Sequence, residues 1–177
     1  MKARIIYKPG KEGINSLDAI RGIAVKMFNG QEVLVYPKYA ELPLLHREDY
    51  SRWKEKSRSE VEALMDDRDP RELTVALVEA GSPAAKFVDE LGGFSLPSLQ
   101  MLAAIVANKD DIDELAKEIE GADLLGSHTS NYWSCFRYSG GRAWLAYGYD
   151  GFFGGNYVMY SGYLAVPVSL YDLRKQA

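Results

Sequence analysis

Nucleophilic catalysis, acid–base catalysis and metal binding each need particular side chains at particular spacings, and this chain offers few of them. Cys135 is the only cysteine, and His46 and His128 are the only histidines. A thiol needs a neighbouring base to act as a nucleophile, and without one Cys135 reads as a small buried hydrophobe with no internal disulfide partner. The two histidines stand far apart and match no ligand spacing such as His-Glu-x-x-His, so each is expected to be a surface or structural residue. Asp66, Asp67 and Asp69 lack the ordered spacing of a calcium loop and suit a solvated helix end. The glycine-rich stretches "GGRAW" and "GFFGGNY" match no phosphate-cradling motif followed by a helix and are expected to be turns. No catalytic residue, metal site or cofactor is expected, and the chain does not read as an enzyme.

The residue types that do gather are aromatic. Residues 131–163, "NYWSCFRYSGGRAWLAYGYDGFFGGNYVMYSGY", hold twelve of the chain's twenty-one aromatic residues and seven glycines, with only Arg137, Arg142 and Asp150 charged. Strands favour aromatic residues, and a sheet needs a core, so part of this concentration needs no ligand. Side chains on a strand alternate between faces, however. In "RAWLAYGYDG" both alternating sets contain large rings, so if Trp144 points inward, Tyr147 and Tyr149 point outward. An exposed tyrosine offers a broad rigid surface and one hydroxyl while losing little rotamer entropy on contact, as in antibody recognition loops. This chemistry is non-covalent recognition.

The elements that must carry these rings follow from periodicity and punctuation. Arg4 to Tyr7 suits a short strand, and "IRGIAVKMFNGQEVLVYP" suits a hairpin turning at Asn29-Gly30. Residues 47–65 suit one charged helix, with Tyr50, Trp53, Val61, Leu64 and Met65 on its apolar stripe. Pro70 suits the first turn of a further helix, although Thr74-Val75 and Leu77-Val78 would also suit a strand, and Ser82-Pro83 caps and starts another helix that ends at Gly92-Gly93. After "FSLPS", Leu99, Leu102, Ala103 and Val106 repeat at helical spacing, and "KDDIDELAKEIEG" continues with acidic residues at its positive end. From Asn131 on, short aromatic runs between glycine-rich breaks read as strands, with Pro167 at an edge or strand end.

The 177 residues suit one domain, or one domain with an elaborated end, and the composition is that of an ordinary globular protein. A net charge of −4 with no basic block makes nucleic acid a poor partner. No apolar run approaches the roughly 20 residues needed to cross a bilayer, so membrane insertion is not expected. No signal peptide is read, and the expected location is the cytoplasm at synthesis or a virion surface.

"FVDELGGFSLPSLQMLAAIVANKDDIDELAKEI", then "NYWSCFRYSGGRAWLAYGYDGFFG", then "SGYLAVPV" resemble the succession of helix, Leu-Pro-Ser, helix, Trp-Ser, Ala-Trp and closing strand in C-type-lectin-fold domains of bacterial surface and phage proteins. Members of that group include the variable, ligand-binding proteins of diversity-generating retroelements. The resemblance covers roughly residues 82–170. It departs from the family pattern at Ala165, which follows Tyr163-Leu164 where the family often carries an arginine after a Tyr-Val pair.

The resemblance implies an α+β, C-type-lectin-like fold: a small twisted antiparallel sheet flanked by two helices. Residues 82–177 would form the binding core, and residues 1–81 an N-terminal hairpin and charged helical portion leading into it or continuous with it. Trp133, Ser134, Ala143, Trp144 and Gly151 would be scaffold. Phe136, Tyr138, Arg142, Leu145, Tyr147, Tyr149, Asp150, Phe152, Tyr157 and Tyr160 would be the contact and candidate variable positions. The implied function is non-enzymatic display of a Tyr/Phe-rich surface to a protein receptor. A carbohydrate ligand, or a structural role in a virion or homo-oligomer, is the alternative.

Overall fold

In the computed structural model, which describes residues 3–66, 68–126 and 130–171, the chain begins with three antiparallel strands. These are β1 (Arg4–Tyr7), β2 (Ile20–Lys26) and β3 (Glu32–Val35). The β2–β3 turn forms at Asn29-Gly30 as expected, with Gly30 at φ +87°. Ile23, Val25, Val33 and Val35 alternate inward and are fully buried. A later strand, β9 (Val168–Tyr171), completes this sheet by pairing with β3, Val168 opposite Val35.

A second, five-stranded sheet runs in the order β4 (Ala40–Glu41), β8 (Leu164–Ala165), β5 (Asn131–Ser139), β6 (Arg142–Tyr147), β7 (Phe153–Tyr157). The architecture is therefore mixed α and β, as expected, but with two sheets where a single small one was expected. Pro167 lies in the break between β8 and β9, where its carbonyl accepts a bond from Tyr36 N (3.0 Å).

The helices are α1 (Glu60–Met65), α2 (Pro70–Glu79), α3 (Pro83–Glu90), α4 (Leu99–Ala107) and α5 (Lys109–Ala116). Asp69, Ser82 and Ser98 cap α2, α3 and α4 through their side chains. Helix α4 explains why there are two sheets. Leu99, Met101, Leu102, Ala104 and Ile105 are buried around its circumference, and it touches β2 of one sheet and β5 and β6 of the other. Residue 81 falls between α2 and α3, which pack together, and one buried apolar cluster draws on both sides of that point.

The Leu-Pro-Ser stretch is a junction between the sheets. Ser95 exchanges two backbone hydrogen bonds with Val168 (2.8 and 2.9 Å), and Pro97 O accepts from Cys135 N on β5 (3.0 Å). Buried Thr74 accepts from Leu96 N (2.9 Å) and donates to Pro70 O (2.8 Å), tying α2 to the same point.

The expected helix over residues 47–65 is a correction. A 3₁₀ turn, Arg47–Arg52, is followed by an extended strap of residues 53–59, and only then by α1. Ser59 caps α1 in a reciprocal capping box with Glu62, which fixes the helix start there. The strap's backbone is meanwhile bound to β5: Arg58 N donates to Arg137 O (3.0 Å), and the Arg137 guanidinium donates to Trp53 O and Glu55 O. Arg58 and Arg68 hold Glu55 and Asp66 in a four-member ion cluster beside it.

Burial alone would raise the Glu55 and Asp66 carboxyls, but hydrogen bonds from Arg68 and the charge of Arg58 outweigh it and draw both below the usual carboxylate range. A carboxyl with a lowered folded pKa adds stability above its unfolded pKa and loses it as pH falls through the folded value. Unfolded Asp and Glu titrate near 4, so the melting temperature should fall as pH drops below about 4. Asp66→Asn and Glu55→Gln should lower the neutral-pH melting temperature and shrink that acid-dependent fall, as followed by near-ultraviolet circular dichroism.

Candidate functional site

Both faces of the five-stranded sheet are covered at its centre, and this decides which predicted contact residues reach solvent. On one face Trp144 Nε1 donates to Arg58 O of the strap (2.8 Å), and the Tyr138 ring packs edge-on against Trp144, with centroids 4.6 Å apart. On the other, Trp133 Nε1 donates to Leu42 O (2.9 Å), while the amides of Leu44 and Leu45 both donate to Val158 O. Ala143, Trp144, Leu145 and Ala146 are consequently all buried, and the strict in-and-out alternation expected along β6 does not hold.

Two predicted contact residues are corrected on this ground. Leu145, opposite Trp133, is completely buried. Phe136 is also completely buried, with the Arg58 guanidinium of the strap over its ring (5.8 Å from the centroid). The pairing passes from Trp133↔Leu145 to Arg137↔Ala143, so three residues of β5 face Trp144 alone. The two extra residues form a bulge, across which the in-and-out alternation keeps its phase. Cys135, in the same bulge, is buried, and burial pushes its thiol well above the ordinary value, which removes it as a nucleophile. Trp133, Ser134, Ala143 and Trp144 are buried with it.

Tyr138 and Tyr147 are half-buried because of the glycine pair in "GFFGGNY". Gly154 and Gly155 are not a turn but lie inside β7, opposite Leu145 and Trp144. A Cβ at Gly154 would meet the Tyr147 ring, and one at Gly155 the Tyr138 ring, so each tyrosine lies against the β7 backbone where no other residue leaves room.

The remaining candidates fall into three groups. At the β6–β7 turn, Tyr149 is 75% and Phe152 70% exposed, and Asp150 Oδ1 accepts from Phe152 N (3.0 Å). At the opposite end of the hairpin, the Arg142 guanidinium lies over the Tyr157 ring (4.6 Å) and donates to its hydroxyl (3.1 Å), which lowers the Tyr157 phenol pKa.

The third group is the most convergent. Tyr160, 54% exposed, lies tilted against Tyr163 (4.9 Å, 31°), which is itself buried at 8% exposure and meets Trp133 edge-on (5.0 Å), so an aromatic column rises from the core to Tyr160 at the surface. Asn156 Nδ2 donates to the Tyr163 hydroxyl (2.5 Å). Burial raises that hydroxyl's pKa, bonds with Asn156 and Asn131 oppose the rise, and Tyr147 and Tyr160 add to it. Asn131, Tyr147, Asn156, Tyr160 and Tyr163 thus gather on one side of the sheet, at the ends of β5, β6 and β7.

Of these, Asn131, Asn156 and Tyr163 were not among the predicted contacts. A polar residue at a strand end carries no distinctive local signal. Phe28, 85% exposed at the tip of the β2–β3 hairpin, was also missed. It shares a groove of about 460 Å³ with Val106, Tyr149 and Phe153. An aromatic directly before the Asn29-Gly30 turn was the available clue.

Among the described residues no group of three or more His, Cys, Asp or Glu could hold a metal, and no helix is long and apolar enough to cross a membrane. His46 is exposed; His128 and Asp67 lie outside the described residues. Asp66 is bound by Arg58 and Arg68, and Asp69 caps α2. The neutral phenols and carboxamides of the convergent cluster can stack, donate and accept. No family model matches the chain, nor does any curated protein or solved structure.

Phe136→Ala should cost about 3–5 kcal/mol of unfolding free energy, whereas Tyr149→Ala should change it by no more than about 0.5 kcal/mol. Urea denaturation of the two variants beside the parent makes this comparison. Equal losses would mean that the turn aromatics belong to the core.

Proposed function

We propose that this protein is a non-enzymatic binding protein that presents a tyrosine- and asparagine-rich face to a protein ligand. The observation that carries the reading is the gathering of Tyr147, Tyr160, Tyr163, Asn131 and Asn156 on one side of the five-stranded sheet. Tyr163 is fixed by Trp133 beneath it and Asn156 beside it, so part of the ordering cost of binding is already met in the free protein. The backbone ladder and the buried middle of β5 and β6 hold the fold, which leaves the outer side chains at the strand ends open to exchange.

The finer fold reading is a C-type-lectin-like domain similar to the variable proteins of diversity-generating retroelements. It is supported by α3, Leu96-Pro97-Ser98, α4, Trp133-Ser134 and Ala143-Trp144 following one another with the motif residues buried or at the sheet junction. In that reading the candidate variable positions narrow to Tyr138, Arg142, Tyr147, Tyr149, Asp150, Phe152, Tyr157 and Tyr160, since Phe136 and Leu145 are core. A neighbouring reverse-transcriptase gene and an imperfect repeat of the codons for residues 133–163 are expected in the surrounding DNA.

A glycan is the second ligand class, favoured by the pairing of neutral rings with carboxamides, which can stack on sugar faces and bond to hydroxyls. Screening the full chain against a displayed protein library and a glycan array separates the two. Binding is expected in the protein screen, weakened about tenfold or more by Tyr160→Ala with the melting temperature held. Signal on the glycan array alone transfers the reading to carbohydrate. No binding in either screen, or binding indifferent to Tyr160→Ala and Asn156→Ala, overturns the assignment of this face.

A further inference from the structure

The outer edge of β7 is open and unguarded. β6 is the only strand hydrogen-bonded to β7 among the described residues. Val158 N donates to Gly141 O and Tyr147 N to Phe152 O, so residues 152, 154, 156 and 158 turn their backbone groups towards β6. By the alternation of an antiparallel ladder, Phe153, Gly155 and Tyr157 turn theirs outward. Tyr157 is already served: its amide donates to Asn156 Oδ1 (2.7 Å), and its carbonyl accepts from Tyr160 N (3.0 Å). Two residues, Phe153 and Gly155, are left presenting an N–H and a C=O each.

Sheet edges are ordinarily blunted by charge, proline or brevity. The opposite edge of this sheet, β4, is two residues long and carries Glu41. Around β7 the usual guards are missing: residues 151–171 contain no charged side chain, although charged residues make up 26% of the chain. Phe152, Tyr157, Met159 and Tyr160, all exposed, flank the strand.

We propose that β7 is a self-complementary edge through which two copies of this chain join their five-stranded sheets into one. A two-fold axis at Gly154 sets Phe153 of one copy opposite Gly155 of the other, and the reverse, so that each pair exchanges two hydrogen bonds and all four open donors and acceptors are used. Gly154 of each copy meets its counterpart on the axis with no side chain of its own, and its own chain's Tyr147 ring covers it on one face. A second copy fits this edge better than an unrelated strand, because the open groups match their own two-fold image and the uncharged edge sets no like charges against each other, in a chain whose net charge is −4. Such an axis is perpendicular to the sheet, so equivalent faces of the two copies lie on the same side. Both Tyr/Asn clusters then point one way, an arrangement suited to bivalent attachment.

The test is sedimentation velocity of the full chain over a dilution series, with residue-resolved amide exchange at both ends of the series. A monomer–dimer equilibrium is expected, with the Phe153 and Gly155 amides protected at high concentration and released on dilution. The Tyr157 amide, capped within its own chain, should not change. Phe152→Lys places an ammonium beside the joined edge in each copy and should raise the dimer dissociation constant about tenfold or more while the melting temperature of the dilute monomer stays unchanged. A chain monomeric throughout overturns the proposal. So does a dimer in which the Phe153 and Gly155 amides exchange equally at all concentrations, or protection that arises only when an extended peptide is added to a monomeric chain.

Discussion

A strand covered on both faces can show its side chains to solvent only at its ends, and this constraint shapes the molecule. The middle of β5 and β6 is such a place. The strap of residues 53–59 closes one face, and the loops around Leu44 and Val158 close the other. Trp133 and Trp144 sit on opposite faces of the sheet with their indole N–H groups bonded to backbone carbonyls, so each large ring is buried without an unmet polar group. Aromatic residues in the centre become core, and those at the strand ends and turns become surface.

The devices that make this burial work are local. The bulge in β5 frees the Cys135 amide to reach Pro97, which joins the sheet to the segment that caps α4. The glycine pair in β7 lets Tyr138 and Tyr147 lie against the backbone on opposite faces of the edge strand. Tyr147 is thereby held at the rim of the convergent cluster. The Trp133–Tyr163–Tyr160 column carries rigidity outward from the core to that rim.

Charge is distributed to match. Arginines and carboxylates concentrate in the strap and at the start of α2, where they fasten irregular backbone that has no ladder of its own. Residues 151–171, which bear the open edge, carry none. Recognition there rests on shape, stacking and neutral hydrogen bonds, which salt screens little.

Much of the element order was legible in the sequence because it rests on neighbours within a few residues: the Asn29-Gly30 hairpin, the Ser82 cap, the Gly92-Gly93 stop and the β character after Asn131. The scarcity of catalytic side chains and the wealth of tyrosine are likewise properties of the chain itself. The strap was misjudged as helix because its extended form depends on Arg137 and β5, some eighty residues away. Phe136 and Leu145 stand at contact positions of the family pattern that the sequence resembles, and they are core here because both faces of the sheet are covered at its centre. Which rings are buried, which asparagines stand beside the tyrosines, and which edge stays open were decided by tertiary structure alone, since a side chain's exposure is set by what folds over it from distant parts of the chain.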